Sequence, residues 1–288
     1  MISVIIVYYN VKKHLSECID SLYKFNNVQH FEIIILDNNS NEKVDDVIKD
    51  RKNIRLHSFE NNIGFSKAVN YGIKMSKGSK ILLLNPDTII ITDILNIMSL
   101  YLEENVDVGV VGAKVMSPDG KYQLSSKRSF PYIYMAFVRF FYLDKLFYRS
   151  RFFGRYNYSF INNDIAMEVD SVSGACMMFR KKITDYIDDF DENFFLYFED
   201  TDFCYRVKKH NYKVVYNPDA KIIHKKRQSF YNSDYSVNYE FFKSLYAFYI
   251  KHYDEYKNSK LLKVLVKVNL RILIFILDLV HKLVKKIK

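Results

Sequence analysis

The sequence predicts an α/β domain, a mostly parallel sheet with covering helices, followed by a helical C-terminal extension. Three observations predict it. Short apolar runs alternate with helix-like segments through the first third of the chain. Three of those runs end in polar clusters, and the stretch from Leu261 to Lys288 keeps one polar stripe at helical spacing through otherwise apolar residues.

The first strand is "SVIIVYY", which ends at Asn10, and a periodic stretch from Val11 to Phe25 reads as the first helix. "EIIIL" follows as a second strand closed by "DNNS", Asp37 to Ser40. After a polar segment come the strand "IRLHSF", a helix from Phe65 to Lys77, and the strand "ILLL", closed by "NPDT", Asn85 to Thr88. Each cluster alone reads as a turn. Three of them at strand ends mark the edge where open α/β sheets bind ligands.

The composition, 49% hydrophobic and 26% charged over 288 residues, is that of a packed globular protein. Cys18, Cys176 and Cys204 have neither disulfide-framework nor zinc spacing, and "MISVIIVYYN" enters a strand with no basic leader, so a cytoplasmic location is expected. The net charge of +10 is concentrated in two places. Nine Lys/Arg face one acid from Lys257 to Lys288, and eight face one acid from Lys121 to Tyr158, leaving a mildly acidic body. The second of these segments also carries fourteen aromatics, which suits stacking, a membrane interface or the wall of an acceptor groove.

In the tail, Lys263, Lys267, Arg271, Asp278, Lys282 and Lys285 make the stripe, and the longest apolar run is only Ile272 to Leu277. A spanning helix needs about 20 apolar residues, so the tail is expected to lie in the plane of an anionic membrane surface. Docking on the chain's own core or on a second copy, which would make a homo-oligomer, is the alternative. Nucleic acid is not expected, because the tail alternates its charges with Leu, Ile and Val. Dinucleotide enzymes are excluded by "VYYNVKK", which lacks the glycine turn, and phosphate-loop nucleotidases by the missing G-x-x-x-x-G-K-[ST].

Two features suggest chemistry. Asp87 in "NPD" is a hard oxygen ligand at a strand end, and His224, ending "AKIIH", is a borderline nitrogen ligand that Mn²⁺ accepts. In "FFLYFEDTDFCYR", Glu199, Asp200 and Asp202 sit among aromatics, where unpaired carboxylates are costly. They belong either to a solvated helix start or to a site.

Taken together, "VIIVYYN", "LDNNS", "NNIGFSKAVNYG", "LLLNPDT", "VDSVSGACMMFRK" and "DENFFLYFEDTDFCYRVKKHNYKVVYNPDAKIIH" resemble glycosyltransferase family 2, in the branch that holds bacterial rhamnosyl- and galactofuranosyltransferases. The resemblance covers about Ile2 to Ser229. It implies a GT-A fold, a Rossmann-like nucleotide-binding sheet with helices on both faces, over residues 1–230, with 231–288 as the extension. It further implies an inverting, metal-dependent transferase using a nucleotide-sugar donor, with dTDP-L-rhamnose preferred over UDP-galactose, UDP-glucose or UDP-galactofuranose, and a polyprenyl-linked saccharide acceptor in surface polysaccharide assembly. Asp87 and His224 match the family's metal site for Mn²⁺ or Mg²⁺, with Asn85 in place of the first acid of its DxD motif. Asp200 matches the catalytic base, with Glu199 beside the acceptor. Asp202 and Arg206 are expected on the acceptor side, joined at i+4. Tyr9, Asn10, Asp37, Asn38, Gly64, Asn70, Asn85, Ser173 and Gly174 are expected around the donor. A degenerate, non-catalytic saccharide-binding scaffold is the rival reading; loss of Asp200, Asp87 or His224 would mark it, and all three are present.

Overall fold

A computed structural model describes residues 1–25, 31–132, 134–135, 138, 141–225, 237–252 and 268. The elements are β1 (Ile2–Tyr8), α1 (Lys12–Phe25), β2 (Phe31–Asp37), β3 (Ile54–Ser58), α2 (Phe65–Met75), β4 (Lys80–Leu84), β5 (Thr88–Ile90), α3 (Ile94–Glu104), β6 (Val108–Met116), β7 (Lys127–Arg128), β8 (Met167–Val169), β9 (Ser171–Val172), β10 (Cys176–Arg180), α4 (Glu199–Lys209), β11 (Lys213–His224) and α5 (Val237–Lys251). The main sheet runs β3-β2-β1-β4-β10-β6-β11-β5, with β8 on β11, and β7 and β9 form a separate ribbon.

The pairings β1–β2, β1–β4 and β2–β3 are parallel, as the apolar runs predict, so these strands finish on one edge. β10 then enters antiparallel to both β4 and β6, and β11 returns parallel to β6. Alternation along β1 sends Val4 and Ile6 into one core and Ile5 into another. The first core takes Leu15, Ile19 and Leu22 of α1 with Met98 and Leu102 of α3; the second takes Ala68, Val69 and Ile73 of α2 with Phe203 and Val207 of α4. Helices therefore cover both faces.

A smaller third core joins distant segments: Phe130, Phe194, Phe198 and Phe248. Phe248 lies on α5, so the first helix of the extension packs against the loop that precedes α4. The amphipathic tail expected from Leu261 onward lies outside the described residues, apart from Val268. Among the described residues no helix is long and apolar enough to cross a membrane.

Candidate active site

One edge of the site is built from strand ends. Asp37, the last residue of β2, is buried; its Oδ1 accepts from the Ser40 amide at 2.8 Å, while Oδ2 receives only a 3.4 Å bond from the Ser58 hydroxyl. Acceptor capacity therefore remains on that carboxylate. Asn10, at φ 53°, accepts from the Asn41 amide at 2.8 Å and donates its own amide to Ser40 Oγ at 3.0 Å, which ties the end of β1 to the end of β2. Tyr9 is half-buried beside it. Asn38 accepts from the Ile63 amide at 2.9 Å and donates to Asn62 at 2.8 Å, which fixes the approach to α2.

The pairing of β5 with β11 sets Thr88 opposite His224 and thereby brings "NPD" to the end of β11. Asp87 Oδ1 lies 3.1 Å from His224 Nε2, and the Asn85 amide nitrogen lies 3.4 Å from the same ring nitrogen. The Lys225 amide donates to the Asp87 carbonyl at 3.0 Å, locking this register. Below the turn, Cys18 contacts Thr88 Oγ1 at 3.3 Å, and burial pushes its thiol up to about 12, so it serves as packing. Two cis ligands about 2.1 Å from an octahedral ion lie about 3.0 Å apart. The Asp87–His224 pair fits that requirement, although among the described residues no group of three or more His, Cys, Asp and Glu is assembled to hold an ion. The pair suits an ion whose remaining ligands come from substrate oxygens.

Asp200 occupies the second position of α4. Its Oδ2 accepts from Arg128 Nη2 at 2.7 Å and from the Gly174 amide at 2.9 Å, and its Oδ1 accepts from the Thr201 hydroxyl at 3.1 Å. A Cβ on Gly174 would stand 3.3 Å from Asp200 Cβ, so the small residues of "SGA" admit this carboxylate. The next residue, Ala175, accepts from the Asn85 amide at 3.0 Å. One short backbone segment thus joins the candidate base to the "NPD" turn, with Ser173 at its start.

Arg128 was not predicted. It comes from β7 inside the aromatic, basic segment, and β7 pairs with β9 just before Ser173. The adjacent carboxylate pushes its guanidinium up against the cost of burial. Its neighbour Lys127 points the other way and is fully buried over the Tyr216 ring at 5.0 Å, where burial pulls the ammonium down to about 8. A clue lay in "KR" between short polar residues: consecutive basic residues in a strand point to opposite faces.

Glu199 contrasts with its neighbour. It is buried, and its Oε2 has no hydrogen-bond partner among the described residues. Burial first, then the Asp200 charge, push it up to about 8. Immediately before it, Tyr197 and Phe198 both have left-handed backbone, φ 67° and 65°. Bulky residues there store roughly 1–3 kcal/mol each, a cost found where surrounding structure dictates a functional turn.

Four expectations change. Asp202 has no exposure to an acceptor: it is fully buried and bonded to Arg206 Nε at 2.8 Å, His252 Nε2 at 2.8 Å and Lys251 Nζ. Arg206 also donates to the Ile187 and Asp188 carbonyls, so the i+4 pair is there but serves to join α4 to α5 and to the preceding loop. Asn70 is committed to the chain's own backbone, since its side-chain amide bonds both ways with Phe190, at 2.8 and 2.9 Å. Gly64, at φ 84°, makes room for Phe195, whose ring would stand 2.6 Å from a Cβ, and the Phe195 carbonyl takes the Phe65 amide at 2.9 Å. The start of α2 therefore clamps the loop that leads to Glu199.

Polar groups at parallel strand ends, a carboxylate–imidazole pair and a buttressed carboxylate at a helix start form the kind of edge at which open α/β sheets bind ligands. The chain belongs to glycosyl transferase family 2, whose family model matches residues 3–187. Glycosyltransferase GlyG of Streptococcus pneumoniae serotype 4 is 30% identical over 116 residues, 39% of this chain and 38% of that protein. An N-acetylglucosaminyl-diphospho-decaprenol L-rhamnosyltransferase of Mycobacterium tuberculosis is 36% identical over 58 residues, 20% of this chain and 19% of its own length. The chain thus spans well under half of these relatives. The crystal structure of GalNAc-T7 with UDP, GalNAc and Mn²⁺ superposes at a TM-score of 0.63 with 13% identity, covering 89% of this chain and 50% of that one. The fold is GT-A-like.

Proposed function

We propose that the protein is an inverting, divalent-metal-dependent glycosyltransferase that moves L-rhamnose from dTDP-L-rhamnose to a lipid-linked saccharide in surface polysaccharide synthesis. The observation that carries the reading is the meeting of Asp37, the Asp87–His224 pair and the Arg128-braced Asp200 at one edge of the sheet. Asp37 accepts from the base of the nucleotide, with Tyr9, Asn10 and Asn38 shaping the crevice. Asp87 and His224, with Asn85 beside them, would hold Mn²⁺ or Mg²⁺, which when bound would supply positive charge to the leaving nucleoside diphosphate.

Asp200 Oδ1 takes the proton of the acceptor hydroxyl as that oxygen attacks the anomeric carbon and the bond to the diphosphate breaks. A single displacement inverts the configuration. Arg128 and the Gly174 amide occupy Oδ2, which keeps Oδ1 turned toward the acceptor. Glu199 holds its proton near neutral pH and presents a donor to an acceptor oxygen. Among the relatives, the mycobacterial rhamnosyltransferase supports the sugar, and the Mn²⁺ of the GalNAc-T7 crystals supports the metal.

The test is turnover of a panel of dTDP- and UDP-sugars with Mn²⁺ or Mg²⁺, comparing wild type with Asp200→Asn. Metal-dependent turnover of dTDP-L-rhamnose, lost in the variant, is expected. Turnover of a UDP-hexose would keep the class and replace the donor. Neither binding nor turnover of any donor would transfer the reading to a saccharide-binding scaffold.

A further inference from the structure

Among the described residues, most exposed large apolar side chains are scattered singly, which is normal for a surface. Residues 141–152 are different. Phe141, Tyr142, Leu146, Phe147, Tyr148 and Phe152 lie within twelve positions, all strongly exposed, with Leu146 at 70% and Tyr142 at 65%. The cluster is built rather than frayed. The Gly154 amide donates to the Ser150 carbonyl at 2.8 Å, the Ser159 hydroxyl donates to the Tyr148 carbonyl at 2.5 Å, and a Cβ on Gly154 would stand 2.2 Å from that same carbonyl. Phe153 packs inward against Phe147 and Phe152, with ring centroids at 5.3 and 5.2 Å.

The charge around the knuckle has one sign. Lys145, Arg149, Arg151 and Arg155 are all exposed, with Lys145 over the Tyr142 ring and Arg149 over the Tyr148 ring. The segment's one acid, Asp144, is partly buried, and its Oδ1 is inaccessible. Exposed aromatics ringed by cations match the interfacial zone of a bilayer with anionic headgroups: rings sit at headgroup depth and cations meet phosphate. A protein partner of similar apolarity would leave those four cations without counter-charge.

We propose that residues 141–155 are a bilayer-contacting knuckle that seats the protein on anionic lipid, separately from its C-terminal tail. Continuity with the site gives the contact an orientation. The Ser129 amide donates to the Tyr156 carbonyl at 2.8 Å, so the residue that follows the knuckle is bonded to the residue that follows Arg128, which braces Asp200. Seating it on lipid brings the acceptor side of the site toward the membrane plane. That orientation rests on the sugar-transfer reading; the bilayer contact itself does not.

The experiment uses the full chain with Leu146→Cys carrying an environment-sensitive fluorophore. Cys18, Cys176 and Cys204 are buried and do not compete for the label. Vesicles of phosphatidylcholine, with and without phosphatidylglycerol and with acyl chains brominated, are added while flotation is followed in parallel. The expected result is a blue shift and bromine quenching on the anionic vesicles. Arg149→Gln with Arg151→Gln is expected to weaken partitioning about thirtyfold, since each basic residue at such a surface contributes about 1 kcal/mol. Flotation with a probe still in water would overturn the proposal by assigning binding to the tail alone. A probe already blue-shifted without lipid and unquenched by it would overturn it in favour of a covering segment or second copy. Absence of flotation overturns it as well. Hydrolysis of the soluble donor, which needs no bilayer, reports separately on the enzymatic reading.

Discussion

The β1–β2 edge of the site and its α4 edge are built in opposite ways. On the first, Asn10, Asp37, Asn38 and Ser40 lie at or just beyond the ends of regular strands and bond to one another or to segments at most 31 positions away. On the second, Asp200 is held by Arg128 from 72 positions away and by Gly174 from 26. Asp202 is held by Lys251 and His252, 49 and 50 positions on. Register alone positions the first edge, whereas the second depends on buried charge pairs among segments with no regular element in common.

The sharpest way to break the contrast is to remove the long-range brace. Arg128→Met is expected to lower kcat by roughly 10²-fold, against roughly 10³-fold or more for Asp200→Asn, because a mispositioned carboxylate can still accept a proton and an amide cannot. Arg128→Lys keeps the charge and is expected to restore part of the loss. An unchanged kcat in Arg128→Met would show Arg128 to be packing alone.

Asp202 probes the same edge through stability. Its carboxyl is held down to about 2, against its burial, by His252, Arg206 and Lys251. A lowered carboxyl contributes stability that is complete above the unfolded value near 4 and fades as pH falls toward 2. Asp202→Asn leaves Arg206, Lys251 and His252 around a neutral amide and is expected to cost about 3–5 kcal/mol in denaturant unfolding at pH 7. The wild type is expected to lose that advantage below pH 4. Equal stability at pH 7 would mean that α5 is held only by Phe248 and its neighbours.

At the Asp87–His224 pair the expected effect belongs to binding. Asp87→Asn and His224→Ala are expected to weaken nucleotide-sugar binding about tenfold in Mn²⁺, measured by calorimetry, and to leave binding in EDTA unchanged. Equal losses with and without the ion would place both residues on the sugar nucleotide itself.

Much of the first edge was legible in the sequence because parallel strands read as apolar runs and turn residues mark their ends. The pairing of Asp87 with His224 was legible by resemblance, and the Thr88–His224 register explains it. The second edge was less so. A lone arginine among aromatics does not announce which acid it meets, since β7 has only two residues and its place depends on β9. Gly64 and Asn70 suggested a ligand, but a glycine makes room for whatever comes close, and here that is Phe195. Left-handed backbone at Tyr197 and Phe198 has no local signature, because it is imposed by packing on both sides of the turn.

The smallest effect lies in Glu199, and it separates two uses of neighbouring carboxylates. Asp200 has a cation and an amide on one oxygen; Glu199 has burial and a like charge. A carboxyl raised in the folded state contributes stability that is complete below its unfolded value near 4.5 and is lost as pH rises toward about 8. Glu199→Gln keeps the shape and removes the proton that must be given up. The variant is expected to be about as stable as wild type at pH 5 and more stable by roughly 1–3 kcal/mol at pH 9, with a flat profile between. Its transfer rate is expected to fall only severalfold at pH 7, because burial and the Asp200 charge favour the protonated carboxyl and the amide replaces one donor with another. A variant no more stable than wild type at pH 9 would mean that Glu199 is ionised in the folded protein without penalty, and the base would then have to be sought in the pair rather than in Asp200 alone.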